Sequence, residues 1–244
     1  MKKTAKCFVL LLGLFVLITQ SEMVNGSEVR GYSPTTVEGH PVWINDEFAS
    51  KEPGLLKRVI AMLKKDFQQI DSLMPTAAKA ATSSTAIWIE LETGPFGGVS
   101  GNGAVYHPSS GWLKRHGQEP AMVRGIQVCN ARNYLKWRNG KVGMTLLHEL
   151  AHAYYHDIKK ERSQVRAAYK RADKKGIYNK VGYMQSEKKS GQLFKAYAMS
   201  NPHEYFAELS EAYFGCNDYF PYNRQQLKEH DPAGYEIVHK IWNK

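Results

Sequence analysis

Apolar positions along the chain repeat with two different periods, and the change of period divides it into segments. Residues 55, 56, 59, 60, 63, 67 and 70 form the stripe of an amphipathic helix over Leu55 to Leu73, which Pro75 stops. Short apolar runs rich in β-branched and aromatic residues predict strands at Val42-Trp43-Ile44, at 86–91 and over Val123 to Cys129. Tyr134 to Trp137 follows as a further short run, and Asn139-Gly140 predicts a turn. Helical spacing then dominates: Val142 to Tyr155, a basic segment over Lys159 to Lys175 closed by Gly176, Pro202 to Phe214 ended by Gly215, and a last helix near 232–242. Residues 27–40, rich in Ser, Gly, Thr and Pro, predict a loose start, and 94–103 a glycine-rich loop. That loop has neither the phosphate-binding nor the dinucleotide glycine spacing. The expected class is therefore α+β, with a mixed front half, a helical back half and no interdomain linker.

The first 26 residues stand apart. Lys2, Lys3 and Lys6 precede the apolar run Phe8 to Ile18, which is too short to span a bilayer core of roughly 30 Å and suits a signal peptide. The expectation is removal of 1–26 and a single domain over 27–244, exported to the periplasm, cell envelope or medium, with no stable membrane span. With 43% hydrophobic and 23% charged residues the chain can bury a core, which excludes disordered and fibrous classes. Its 33 Lys+Arg against 23 Asp+Glu give +10, and losing the leader's three lysines and Glu22 still leaves +8. Such charge favours anionic partners but specifies no nucleic-acid site. Cys7 leaves with the leader, so Cys129 and Cys216 remain, either as one bridge or as two thiols.

Chemistry concentrates at His148-Glu149-Leu150-Ala151-His152. On a helix, positions i and i+4 point the same way, so both histidines can hold one Zn²⁺ per chain with Glu149 placed as a general base. His156 continues the spacing, but it lies roughly 12 Å from His148 along the axis. A zinc–nitrogen bond of about 2 Å excludes it as a third ligand to the same ion. Glu204, on the segment Asn201 to Glu211, is the candidate third ligand, and Glu208 one turn on is the candidate to hold a histidine N–H from outside. On spacing alone Glu204 reads equally as the N3 residue of a capping box begun by Asn201 and Pro202. His203 is a rival that projects off the Glu204–Glu208 face.

His-Glu-Leu-Ala-His followed about fifty residues later by Glu-Tyr-Phe-Ala-Glu resembles the gluzincin zinc peptidases. More narrowly it is similar to the anthrax lethal factor-like catalytic domain, a group that includes secreted bacterial Pro-Pro endopeptidases. The resemblance covers roughly residues 120–220, with looser likeness at Tyr106-His107-Pro108, Gly111-Trp112-Leu113 and 217–221. It implies a zincin-like fold with a small mixed sheet, an active-site helix and a helical C-terminal subdomain. It further implies His148, His152 and Glu204 as zinc ligands, Glu149 as base and Glu208 as the second acidic residue. Tyr197, seven residues before Glu204, is implied as the oxyanion donor. The resulting expectation is a secreted metalloendopeptidase acting on protein or peptide, its substrate lying against the Val123–Cys129 strand. Two other readings stand beside it: a zinc amidase acting on cell-wall peptides, and a non-catalytic zinc-stabilised protein. The latter would hold a polyanion through Lys159, Lys160, Arg162, Arg166, Lys170, Arg171, Lys174 and Lys175.

Overall fold

A computed structural model of the chain describes residues 28–140, 144–185 and 188–244. The expected signal peptide, Cys7 and the start of the predicted helix at Val142 lie outside these residues. In chain order the elements are β1 (Tyr32–Val37), β2 (His40–Asn45), α1 (Asp46–Lys51), α2 (Pro53–Leu73), α3 (Thr76–Thr82), β3 (Ile87–Ile89), β4 (Ala104–Tyr106), α4 (Ser110–Arg115) and β5 (Ile126–Val128). They continue with α5 (Ala131–Gly140), α6 (Thr145–Asp157), α7 (Arg162–Lys175), β6 (Val181–Gln185), β7 (Lys188–Phe194), α8 (Pro202–Phe214), α9 (Arg224–His230) and α10 (Pro232–Trp242). The architecture is mixed α+β and mainly helical, as its patterning predicts. No helix among the described residues is long and apolar enough to cross a membrane.

Five strands form one sheet in the order β1-β2-β3-β5-β4. β2, β3 and β5 run parallel, and β1 and β4 close the two edges antiparallel. β3 is wholly buried, as a central strand covered on both faces must be. Three expectations are corrected here. The described part of that segment, 28–40, is not loose: it contains β1 and its hairpin turn at Glu38–Gly39, where both residues have positive φ. Only Val37 of β1 is buried, and Pro34 suits an edge, so composition hides the strand. Tyr134 to Trp137 and the predicted turn at Asn139-Gly140 fall within α5. There Tyr134 turns inward to donate to the buried Asp66 carboxylate, which Arg138 also pairs at 2.7 Å. Finally, the predicted strand at Val123 to Cys129 shortens to β5 and lies inside the sheet, between β3 and β4.

Helix packing sets the platform for the histidines. α2 buries Leu55, Val59, Leu63, Phe67 and Ile70, the inner part of its predicted stripe. α6 packs against both β4 and α8, and α10 packs against α7 and α8. Gly176, at φ +65°, ends α7 in the left-handed region that favours glycine. One core cluster spans residues from Val37 to Trp242, joining both halves of the chain. Trp242 is fully buried against Tyr154, Phe206 and Phe214, and its indole N–H donates to Ser210 at 2.9 Å. Trp242→Ala is expected to lower stability by about 3 to 5 kcal/mol, read from denaturant unfolding.

His107, next to β4, is 1% exposed and bonds Gln127 at 2.8 Å through Nε2. Burial holds its pKa below the ordinary 6.5, so the unfolded chain binds the proton first as pH falls. Its contribution is therefore complete above pH 6.5 and is lost as pH falls from there through the lowered folded value. Melting temperatures measured from pH 8 to 5 are expected to fall less steeply in His107→Gln than in the unaltered protein.

Cys129 and Cys216 are thiols and not a disulfide. Burial pushes the Cys129 pKa up to about 12, so it remains a small hydrophobic group at neutral pH.

Candidate metal centre

α6 carries the His-Glu-x-x-His segment with its neighbours turned into the core: Leu146, Leu147, Leu150 and Ala151 are all buried. His148 and His152 therefore project from one face, their ring centroids 4.8 Å apart. α8 lies across that face. Asn201 caps α8 by accepting from the backbone N–H groups of His203 and Glu204 at 2.8 and 3.1 Å, and Pro202 opens its first turn. The Glu204 carboxylate takes no part in the cap. Its Oε2 stands 3.0 Å from His148 Nε2 and 3.2 Å from His152 Nε2. The ligand atoms of these three residues all lie within 4.8 Å of one another. His203 lies outside this group and packs its ring 4.4 Å from that of Tyr155.

The donor chemistry of the three side chains fits a divalent cation. Tetrahedral zinc ligands are separated by about 3.3 Å, close to the two His–Glu distances. Without a cation, both Nε2 atoms need protons to approach one carboxylate oxygen. His148 Nδ1 in turn faces Glu211 Oε1 at 2.8 Å. Burial opposes a charge on His148, but Glu204 and Glu211 together hold its pKa well above the ordinary value. For Glu204 itself burial acts upward, and the two histidines outweigh it to hold the carboxyl well below the usual carboxylate range.

Support for His148 comes from a residue that spacing did not single out. Glu211 accepts from Nδ1 and also from the backbone N–H of Met144, which precedes α6. It thus satisfies an orphan donor at the helix start while orienting the imidazole. Glu208, expected in that role, lies farther from Nδ1 at 3.6 Å and receives Asn217 Nδ2 at 3.3 Å. Both carboxylates are buried, 4% exposed for Glu208 and 5% for Glu211. Burial, then the neighbouring Glu211, raises the Glu208 pKa well above the carboxylate range.

Glu149 points from α6 toward the sheet edge, and its Oε2 accepts the Tyr106 backbone N–H at 2.9 Å. Burial raises its pKa against the lowering effect of His152 and His148. At the two ends of β5, Cys129 N–H donates to the Gly103 carbonyl at 2.9 Å and the Gly125 carbonyl accepts from the His107 N–H at 3.0 Å. By strand alternation Ala104 and Tyr106 therefore turn their backbone groups the other way, toward α6. Tyr197 is 47% exposed, with its ring centroid 6.2 Å from that of His148. Burial of its inner half, with Glu204 nearby, raises its hydroxyl pKa. Histidines 148 and 152, Glu149, Glu204, Tyr197 and β4 line one cleft of about 760 Å³.

A scan against protein-family models, a search of curated proteins and a search of solved structures each returned no significant match.

Proposed function

We propose that the chain is an exported, zinc-dependent endopeptidase with a zincin-like arrangement of edge strand, motif helix and ligand helix. The convergence of His148 Nε2 and His152 Nε2 on Glu204 Oε2, beside a buried Glu149 and an open sheet edge, carries the reading. A zinc ion held by these three residues supplies Lewis-acid chemistry, polarising a carbonyl and acidifying water. Glu149 takes the proton of the attacking water and returns it to the leaving amine from its buried place in the cleft wall. The Tyr106 N–H holds one carboxylate oxygen in place while the other remains for that transfer. Tyr197 donates its hydroxyl to the developing oxyanion, and its raised pKa keeps the donor protonated at neutral pH.

The substrate strand pairs with β4, not with the Val123–Cys129 run, because β5 already has neighbours on both sides. Ala104 and the Tyr106 carbonyl offer the backbone groups for such pairing. Zinc analysis of the purified protein together with a diverse peptide library tests the proposal. It expects about one zinc per chain, cleavage within peptides, loss of cleavage on chelation and recovery on returning zinc. Absence of bound zinc, or zinc with no peptide cleaved, would sink it.

A further inference from the structure

The cleft does not stop at the metal ligands. His156 stands one turn beyond His152 on α6 and lines the same cleft with Arg166 of α7, His203 of α8 and Tyr106 of β4. We propose that this end of the cleft is a subsite for an acidic side chain of the substrate, with the Arg166 guanidinium as its main binding group. The inference rests on the peptidase reading and names its substrate class.

Each charged group around Arg166 has a different assignment. Arg162, one turn earlier on α7, donates to the Tyr155 and His156 carbonyls and so serves the end of α6. Asp157 pairs with Arg124, and Glu204 faces His148 and His152. Burial, then the positive charge of Arg124 and Arg162, lowers the His156 pKa. Of the arginines at this end, Arg124 pairs with Asp157 and Arg162 serves the carbonyls of α6, which leaves the Arg166 guanidinium to line the cleft. It is exposed, and no carboxylate among the described residues pairs with it.

Tyr106 is 8% exposed and walls this end of the cleft, its ring centroid 6.1 Å from that of His156. Planar guanidinium and planar carboxylate match in a two-point contact, which the neutral amide of Gln forms less well.

The test uses matched peptides built on a sequence that the protein cleaves, with Glu, Gln or Lys at each position within about three residues of the scissile bond. Values of kcat/KM are measured on the unaltered protein. Binding to zinc-loaded Glu149→Gln is measured by fluorescence anisotropy at low and high salt. At one position Glu is expected to be favoured roughly tenfold over Gln in both measurements, and the preference shrinks as salt rises. Arg166→Gln removes it, and Arg166→Glu turns it into a preference for Lys. Equal treatment of Glu and Gln at every position, or a preference that survives Arg166→Gln in a folded, zinc-replete variant, overturns the subsite. Cleavage without a Glu preference defeats the subsite alone. Failure to cleave or bind any peptide defeats the peptidase reading, and the subsite with it.

Discussion

Glu149→Gln is expected to slow peptide cleavage roughly 10³-fold while zinc content stays that of the unaltered protein. The substitution keeps shape and volume, and the amide oxygen of Gln can still accept the Tyr106 N–H that positions Glu149 at 2.9 Å. What disappears is the basic lone pair. Glu149 is not among the three residues that converge at the proposed metal position, so its loss leaves the proposed ligand set intact. Single-turnover cleavage and zinc analysis on one preparation separate the two effects. Undiminished cleavage by this variant would remove Glu149 from the role of base.

Glu204→Ala is expected to release zinc, with affinity falling more than about 100-fold, beyond the range set by losing an outer partner. Its carboxylate is the single acceptor that both Nε2 atoms approach, so the variant leaves two histidines and no carboxylate in the proposed ligand set. The α8 start should survive, because Asn201 and Pro202 form the cap without that side chain. Glu211→Ala provides the contrast. It leaves all three ligands but strips His148 Nδ1 and the Met144 N–H of their acceptor. Zinc affinity should then fall about 10- to 100-fold, with a stability loss of about 1 to 3 kcal/mol for the stranded buried donors. Competition with a chromophoric chelator ranks the two variants. Normal zinc affinity without Glu204 would sink that ligand assignment.

Much of the helical frame was legible residue by residue. The limits of α8 follow from Asn201, Pro202 and Gly215, and the end of α7 from Gly176, because these residues act within one turn of themselves. Strands were less legible. β1 buries only Val37, so its Ser-Pro-Thr-Thr composition carries almost no alternation, and its pairing with β2 shows only in the folded chain. The apolar run around β5 was visible, but its place inside the sheet was not. Sheet order depends on where distant segments meet, and β4 emerges from a glycine-rich stretch with three residues to announce it.

The same division holds at the site. His148, Glu149 and His152 share a helix, so the sequence alone determined that they lie together on consecutive turns. Glu204, Glu208 and Glu211 stand at i, i+4 and i+7 on a second helix and therefore share a face. Spacing assigns no order among them. Only the seating of α8 across α6 sets Glu204 between the two Nε2 atoms and Glu211 at 2.8 Å from Nδ1, with Glu208 at 3.6 Å. Periodicity along one helix is local and readable, whereas the distance between two helices is set by the side chains packed between them. Tertiary packing thus decided which carboxylate supports His148, which strand borders the cleft and which arginine reaches into it.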